Sequence, residues 1–378
     1  MHTVLLLGSG KIGRMIAWML SRSGDYRVRV ADNDAGRLER VGQQSSVETL
    51  MLDATDPSQL AAAMQGCQSV ISALSFRFNP AVAEAALRAG ISYFDLTEDT
   101  ATARRAAELA ASAEEGQVFV PQCGLAPGFV SIVARHLVDW FDDVDSVRMR
   151  VGALPQFPSN ALKYNLTWST DGLINEYCNA CEAIHDGRRI DALPLEGLEQ
   201  FSLDGVRYEA FNTSGGLGTL CTTLEGRVRE LNYRTIRYHG HRDLMAFLLG
   251  DLRLSERRDM LKDILERAVP VTFQDVVVTF CTVSGWRKGQ LVQLSDARKI
   301  YHQTWEGEVW SAIQIATAAG VCAVLDLHTG SRLPSRGLVR QEQIDFQEFI
   351  SNRFGRHYEQ EIATHFGEPR PSVIPDSA

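Results

Sequence analysis

The first third of the chain alternates short apolar segments with amphipathic ones, the pattern of strands followed by helices. Strands are predicted at Val4 to Leu7, Val28 to Ala31, Glu48 to Leu52, Ser69 to Leu74, Ser92 to Leu96 and Gln117 to Pro121. Helices are predicted at Met15 to Ser21, Pro57 to Met64, Pro80 to Ala89 and Ala101 to Glu115. This alternation predicts an α/β fold with a doubly wound parallel sheet of the Rossmann type.

The pattern changes after Gly128. The segment 151–240 is rich in Pro, Gly, Trp and Tyr, and longer strand-like segments occur at Val147 to Val151 and Val276 to Val283. Two further segments, beginning at Leu291 and Lys299, alternate polar and apolar positions in the manner of antiparallel strands. We therefore predict a second α+β domain with a mixed, mostly antiparallel sheet. An Ala-rich helix from Trp310 to Leu325 is expected to return the chain to the first domain.

The first predicted strand leads directly into Gly8-Ser9-Gly10-Lys11-Ile12-Gly13, which has the spacing Gly-x-Gly-x-x-Gly. In that motif Gly8 allows the tight turn, Gly10 lets the backbone approach a pyrophosphate, and Gly13 lets the helix pack closely on the strand. The free N–H groups and the dipole of the helix N-terminus then favour the anion. The sequence predicts a dinucleotide cofactor, bound in part by Lys11 and Ile12.

An acid at the end of the second predicted strand supports this interpretation. Asp32 lies about 20 residues past the glycines, where a carboxylate accepts hydrogen bonds from the adenosine ribose. A carboxylate there favours NAD, whereas nearby Arg37 would suit the 2′-phosphate of NADP, which stays possible. Since ligands bind beyond the carboxyl ends of parallel strands, the cofactor site is expected to include other residues that follow strands, namely Asp53, Ala73, Leu74 and Gly124.

These patterns predict the domain organisation. Residues 1–128 form a dinucleotide-binding domain, completed by C-terminal helices from about 310–368. Residues 129–309 form the second domain, which is expected to bind the substrate. The polar, proline-broken segment 369–378 is predicted to be a flexible tail.

Composition narrows the partners. The 378 residues carry a formal net charge of −9 with 45% hydrophobic residues, which disfavours nucleic acid and anionic membrane surfaces. No apolar run reaches the ~20 residues of a membrane span, and a cytoplasmic location is expected. The 7 cysteines do not suggest a disulfide framework. Cys178 and Cys181 have metal-like spacing but no second pair, so no metal site is predicted. A small-molecule substrate is expected.

Several spaced motifs carry a resemblance to a known family. They are the Gly-Ser-Gly-Lys-Ile-Gly turn, the strand Tyr93-Phe94-Asp95-Leu96, the loop Cys123-Gly-Leu-Ala-Pro-Gly128, the pairs Tyr164-Asn165 and Trp168-Ser169, and the segments Thr213-Ser-Gly-Gly216 and Thr235-Ile-Arg-Tyr-x-Gly240-His241. Together they resemble the saccharopine dehydrogenase/reductase family, most of all its lysine 6-dehydrogenase branch. The resemblance implies NAD(P)-linked chemistry at a C–N bond of an amino acid. It implies a homodimer as well, with residues 129–309 as the dimerisation domain. It also implies that Asp95 and Cys123 lie near the reacting centre.

The chemistry suggests roles for the candidate residues. An ammonium must lose a proton before hydride can leave, and Asp95 is the first candidate base, with His241 or His239 as alternatives. Arg237 would receive the substrate carboxylate in a bidentate pair, beside anion donors at Ser214 and Gly215. Tyr164 and Trp168 would wall the pocket. Structural roles stay open for these residues: a turn cap for Asp95, a buried loop thiol for Cys123, a surface ion pair for Arg237 and plain core for the aromatic residues.

The predicted function is therefore lysine 6-dehydrogenase-like oxidative deamination. A saccharopine reductase-like activity, in which the nitrogen bears a larger dicarboxylate substituent, and a carboxy-polyamine reductase are the alternative enzymes. A second carboxylate on the substrate would need a further cation such as Lys163. A protein of another class, a non-catalytic NAD(H)-sensing protein, would share the fold without the chemistry.

Overall fold

The computed structural model describes residues 1–359 of the chain. The predicted tail at 369–378 and the end of the predicted helical region 310–368 lie outside the described residues. The N-terminal part alternates strands and helices as follows: β1 (His2–Leu7), α1 (Lys11–Arg22), β2 (Tyr26–Asp32), α2 (Ala35–Gln44), β3 (Glu48–Met51), α3 (Pro57–Met64), β4 (Ser69–Ser72), α4 (Asn79–Ala89), β5 (Ser92–Asp95), α5 (Thr100–Ala110) and β6 (Val118–Val120).

Local sequence signals explain the ends of these helices. The carboxylate of Asp56 accepts from the amides of Ser58 and Gln59, and Pro57 occupies the first turn of α3. Helix α4 ends at Gly90, whose φ of 67° few other residues adopt. Two predictions need correction. Helix α5 ends at Ala110 rather than Glu115, because the amides of Ser112 and Ala113 bond to carbonyl oxygens three residues earlier and turn the chain. Helix α2 lies where no helix was predicted.

The second part of the chain contains longer strands: α6 (Phe129–Val138), β7 (Asp143–Pro155), α7 (Thr170–Cys178), β8 (Cys181–His185), β9 (Arg188–Ala192), β10 (Glu199–Leu203), β11 (Val206–Asn212), α8 (Leu220–Leu224), β12 (Val228–Tyr238), α9 (His241–Ala246), α10 (Arg258–Ala268), β13 (Asp275–Arg287) and β14 (Gln290–Tyr301). The described chain then runs through β15 (Gln303–Trp305), β16 (Glu308–Trp310), α11 (Ala312–Thr329), β17 (Gly337–Leu338) and α12 (Phe346–Ser351).

Two large sheets confirm the predicted fold class. The first has 7 strands in the order β17-β6-β5-β4-β1-β2-β3, all parallel. The second has 8 strands, of which six lie side by side in the order β10-β11-β12-β7-β13-β14. Of the other two, β8 pairs with β12, and β9 pairs with β8. The pairings in this sheet are antiparallel except that of β12 with β7. In the first sheet the strand order reverses between β1 and β4, which is where such sheets bind ligands.

Helix α11 joins the two sheets. It packs against α1 of the first part and β13 of the second, within a hydrophobic core that contains residues of both. Asp275, which begins β13, accepts from the amide of Ile313 in the first turn of this helix. By length and composition α11 could span a membrane, although 78% of the apolar segment is buried inside the protein. Its apolar surface is thus already covered by other parts of the chain.

Candidate active site

The glycine turn between β1 and α1 has the geometry of a phosphate cradle. Gly8 has a φ of 97°, and a Cβ on Gly13 would lie 1.9 Å from the carbonyl oxygen of Gly8. A Cβ on Gly10, by contrast, would meet nothing within 4 Å in the described structure. The turn is therefore tight on its inner side and open at Gly10. Within residues 1–359 no side chain caps the first turn of α1, so its amides are available to a pyrophosphate.

The carboxylate of Asp32 lies against this turn. Its Oδ2 accepts from the backbone amide and the hydroxyl of Ser9, both at 2.7 Å, and its Oδ1 accepts from the amide of Asp34 at 3.0 Å. Burial acts to raise the pKa of Asp32, but the hydrogen bonds from Ser9 and Asp34 outweigh it and lower the pKa. A fixed negative charge at this point suits ribose hydroxyls and repels a 2′-phosphate. Arg37 is paired with Asp34 at 3.3 Å.

The other predicted cofactor residues divide into two groups. Ile12, Ala73, Leu74 and Gly124 line a cleft at the carboxyl ends of the parallel strands. Asp53 does not line it, because its carboxylate accepts from the amide and hydroxyl of Thr55 at 2.9 and 2.7 Å and so closes a local turn. Lys11 is exposed outside the cleft, and its carbonyl oxygen accepts from Gln314 at 2.9 Å.

The cleft lies between the two sheets, and its lining residues come from both parts of the chain. One wall comes from the loops after β4, β5 and β6, at residues 73–76, 96–98 and 124–127. Facing it are Tyr233, Thr235 and Arg237, alternate residues on one face of β12. Helix α7 and the residues just before it complete the cleft. The two parts of the chain thus share one site.

Arg237 is the cation of this cleft. It is 3% exposed; its Nε donates to the hydroxyl of Tyr177 at 2.8 Å, and its Nη1 donates to the carbonyl oxygen of Ile236 at 2.8 Å. Nη2 lies 4.0 Å from a carboxylate oxygen of Glu176. The predicted surface ion pair is therefore not what holds Arg237. A buried, oriented guanidinium with donors left over is suited to bind a substrate carboxylate.

Three acidic residues in the cleft were missed by the sequence reasoning: Glu98, Asp171 and Glu176. Burial raises the pKa of Glu98 to about 6 and that of Glu176 to about 8. Glu98 follows β5 by three residues, so the rule that selected Asp95 could have found it. Glu176 lies on α7 among core residues, and no local signal distinguishes it. Carboxylates with perturbed pKa values in a cleft are candidates for proton transfer.

Asp95 does not reach the cleft. Its carboxylate is 0% exposed and accepts from the Tyr93 hydroxyl at 2.6 Å and from the amides of Thr97 and Gln122, each at 2.9 Å. Burial raises its pKa despite these bonds. Because a general base must come within hydrogen-bond distance of its substrate, the prediction of Asp95 as the base is wrong in this structure. Its carboxylate ties the end of β5 to the loop after β6.

Cys123 is also sealed. The thiol is 0% exposed and lies 2.9 Å from the carbonyl oxygen of Val120 and 3.2 Å from the side-chain nitrogen of Gln341. Burial raises its pKa well above the ordinary value. A neutral, enclosed thiol exchanges no protons with a substrate. The structure thus assigns Cys123 the alternative role, a small buried loop residue, while the following Gly124 lines the cleft.

His241 lies behind Arg237 rather than in the cleft. Its Nδ1 is 2.7 Å from the carbonyl oxygen of Leu162 and its Nε2 is 3.0 Å from the Tyr177 hydroxyl. Since a carbonyl oxygen only accepts, Nδ1 carries the proton and Nε2 accepts from Tyr177, which in turn accepts from Arg237. Burial and the nearby guanidinium lower the pKa of His241 to about 3. His241 is not the base, and it stays neutral and orients Tyr177. His239 does not line the cleft either.

The predicted Ser214 and Gly215 support the site without lining the large cleft. Ser214 donates to the carbonyl oxygens of Glu176 and Asn175, both at 3.0 Å, through its amide and hydroxyl respectively. Gly215 has a φ of 88°, and a Cβ there would lie 2.7 Å from the carbonyl oxygen of Glu98. The loop therefore holds the segments that carry the two glutamates, a role different from the predicted anion binding.

The two predicted aromatic residues differ. Trp168 lines the cleft, and Gly172 makes room for it, since a Cβ on Gly172 would lie 2.3 Å from the indole ring. Tyr164 is buried outside the cleft, with the guanidinium of Arg237 5.0 Å from its ring centre. Trp168 can thus contact a ligand, whereas Tyr164 supports the arginine through a cation–π contact.

Comparison with known proteins agrees with this architecture. Residues 4–120 match the family model of the saccharopine dehydrogenase NADP-binding domain, and residues 124–359 match the family model of the saccharopine dehydrogenase C-terminal domain. A solved structure of the apo, L-Glu-forming saccharopine dehydrogenase from Saccharomyces cerevisiae has a TM-score of 0.77 at 18% identity and covers 93% of this chain and 97% of that one. The two share a fold.

Two curated proteins are related in sequence. Mitochondrial alpha-aminoadipic semialdehyde synthase of Bos taurus is 21% identical over 87% of this chain and 37% of that protein. The NADP-dependent, L-glutamate-forming saccharopine dehydrogenase of Saccharomyces cerevisiae is 26% identical over 52% of this chain and 44% of that protein. The chain therefore spans less than half the length of these curated relatives.

Proposed function

Because the chain belongs to the saccharopine dehydrogenase family, we propose that it is an NAD(P)-dependent oxidoreductase acting on a C–N bond of an amino acid, as lysine 6-dehydrogenases do. Its N-terminal part is the NAD(P)-binding domain of that family. The observation that supports the proposal most is the shared cleft, where Ile12 of the glycine turn and Arg237 of the second sheet line one space. The cofactor and an amino-acid carboxylate can meet there.

The charges of the cleft favour lysine as the substrate. The residues that line it include one cation, Arg237, and three carboxylates, Glu98, Asp171 and Glu176. Arg237 suits the α-carboxylate, and the carboxylates of Glu98 and Asp171 suit an amine. A substrate with a larger dicarboxylate substituent would need further cations. Lys163 does not supply one, because it is exposed outside the cleft and donates to the carbonyl oxygen of His239 at 2.8 Å.

We propose the following roles for the residues of the cleft and of the glycine turn. The turn around Gly10 and the first turn of α1 would bind the pyrophosphate, and Asp32 the adenosine ribose. When bound, the nicotinamide accepts hydride from the substrate carbon. Arg237 would fix the substrate carboxylate, and Trp168 would exclude water from one side of the cleft. This positioning brings the substrate carbon to the cofactor end of the cleft.

The test is turnover with a panel of amines. The protein is incubated with NAD or NADP and with lysine, saccharopine or other amino acids, and the absorbance of the reduced nicotinamide is followed. We expect turnover with lysine, a loss of about 100-fold in kcat/KM for Arg237→Ala, and little change for the exposed control Lys163→Gln. Turnover with saccharopine alone would favour the reductase-like alternative. Tight cofactor binding without turnover of any amine would favour an NAD(H) sensor.

The homodimer implied by the family resemblance is part of the proposal. The second sheet exposes Trp286 and Leu291, which pair across the β13–β14 hairpin and are 42% and 67% exposed. Such a surface suits contact with a second copy. Sedimentation analysis is expected to give twice the mass of one chain, and Leu291→Lys is expected to shift it toward the monomer.

A further inference from the structure

The reaction proposed above requires a proton acceptor, and none of the predicted candidates reaches the cleft. Hydride leaves a carbon that bears nitrogen only after the ammonium has lost a proton. The acceptor must therefore be a group that lines the cleft. Among the described residues the cleft offers three carboxylates for this role, Glu98, Asp171 and Glu176. Their surroundings distinguish them.

The charge of Asp171 is already compensated by an ion pair. Its Oδ2 lies 2.7 Å from Nζ of Lys262, a residue of α10, and both side chains are partly exposed. Taking a proton would break this ion pair. Asp171 lies in the first turn of α7, where the helix dipole also stabilises a negative charge. It contributes negative charge at the edge of the cleft.

Glu176 is a poor acceptor because, unlike Asp171, it is buried without a close ion pair that would keep its carboxyl charged. It is buried, and Nη2 of Arg237 lies 4.0 Å from its Oε2, beyond hydrogen-bond distance. Burial raises its pKa to about 8, although Arg237 opposes the shift. Near neutral pH the carboxyl is therefore mostly protonated. In that form it leaves the charge of Arg237 available for the substrate.

Glu98 combines access with a free carboxylate. It lines the cleft and, within residues 1–359, has no cation within ion-pair distance. Burial raises the pKa of Glu98 to about 6, while its own backbone amide and the side chain of Asn175 act to lower it. Asp95 and Asp99 face it from its own segment and Glu176 faces it from α7. Glu98 is thus mostly charged near neutral pH and close enough to its pKa to exchange protons.

We propose that Glu98 is the general base of the reaction and that Glu176, whose carboxyl lies beyond hydrogen-bond distance of Arg237, leaves the guanidinium free for the substrate carboxylate. This inference rests on the proposed function. Glu98 takes one proton from the substrate ammonium. The lone pair freed on nitrogen then forms the second C–N bond as hydride, with its two electrons, passes to the oxidised cofactor, leaving a protonated imine. Water then adds to the imine carbon and the C–N bond breaks, which gives the aldehyde and releases the nitrogen as ammonium. The close approach of Gly215 fixes the backbone of Glu98 for this step.

The test compares Glu98→Gln and Glu176→Gln with a matched control, Glu266→Gln, at an exposed position of α10. For Glu98→Gln we expect kcat with lysine to fall at least about 100-fold, with NAD affinity unchanged. In the wild-type protein kcat/KM should rise with pH through about 6, and this rise should be absent from Glu98→Gln. Glu176→Gln, which imitates the protonated carboxyl, should keep the rise.

The outcomes separate the inference from the proposed function. Wild-type protein that turns over no amine contradicts the function, whatever the variants do. Active wild-type protein together with an active Glu98→Gln, or loss of the pH rise in Glu176→Gln alone, overturns the assignment of Glu98. If Glu98→Gln fails to bind NAD, the variant Glu98→Asp is tested instead. The assignment of Glu98 is supported if this variant binds NAD, keeps the pH rise and has a kcat at least tenfold below wild type. A wild-type kcat in this variant overturns the assignment.

Discussion

The hydrogen bonds behind Arg237 give a sharp prediction for Tyr177→Phe. The substitution removes the hydroxyl that accepts from Nε of Arg237 at 2.8 Å and lies 3.0 Å from Nε2 of His241. Nothing else changes in volume or in the apolar contacts of the ring. Arg237 keeps its bond to the carbonyl oxygen of Ile236, but its plane is no longer fixed at Nε.

The size of the effect follows from burial. Both groups that lose a partner are in the protein interior, where a hydrogen bond to a charged group contributes about 1.5–3 kcal/mol. Without this hydrogen bond the guanidinium is less well oriented, and the lost free energy appears as weaker binding of a carboxylate. Since about 1.4 kcal/mol corresponds to a factor of ten, binding weakens about 10- to 100-fold. We expect the loss mainly in KM, because the hydroxyl does not line the cleft.

The assay compares two substrates in the same variant. Lysine carries an α-carboxylate, and the diamine of the same chain length lacks it. We expect kcat/KM for lysine to fall at least tenfold in Tyr177→Phe and that for the diamine to stay within threefold. Tyr208→Phe is the matched control, since Tyr208 is buried on β11 and does not line the cleft. Equal losses for both substrates, or no loss for lysine, would refute the argument that Tyr177 orients Arg237.

Three further predictions concern the cofactor turn and the buried acid. Gly13→Ala places a Cβ 1.9 Å from the carbonyl oxygen of Gly8 and should abolish the calorimetric heat of NAD(P) binding. Asp32→Gly removes the carboxylate at the ribose site, so the ratio of NADP to NAD affinity should rise at least tenfold; an unchanged ratio contradicts the role of Asp32. Asp95→Asn should keep kcat, whereas Asp95→Ala, which leaves three buried donors without a partner, should lower the free energy of unfolding by about 3 kcal/mol or more. Because burial raises the pKa of Asp95 in the folded state, wild-type stability should fall relative to Asp95→Asn as pH rises above the ordinary carboxyl range.

The first sheet was predictable because its signals are local. Helix α3 has the predicted limits of Pro57–Met64, since its cap, its first-turn proline and its apolar face lie within ten residues. The glycines at 8, 10 and 13 likewise determine their own turn. The predicted order of strands and helices in this part therefore holds except for the missed helix α2, with small errors at helix ends such as that of α5.

The site was only partly predictable, because a strand end locates the backbone and not the side chain. Asp95 ends β5 as expected, yet its carboxylate is taken up by the amides of Thr97 and Gln122. Glu98, three residues later, reaches the cleft instead. The perturbed pKa of Glu176 comes from burial against residues of another part of the chain, which no local pattern contains. Arg237 could be predicted to bind the substrate carboxylate, because a planar guanidinium binds a carboxylate through two hydrogen bonds.

Transfer of an isotopic label tests the central claim most directly, namely that hydride moves within the shared cleft from the carbon bearing the substrate's terminal amine to the cofactor. Lysine carrying deuterium at that carbon is converted with unlabelled oxidised cofactor, and the reduced nicotinamide is analysed by mass spectrometry. The account predicts one deuterium per reduced cofactor. Reduced cofactor without deuterium, or with deuterium only when the α-carbon is labelled, would contradict it.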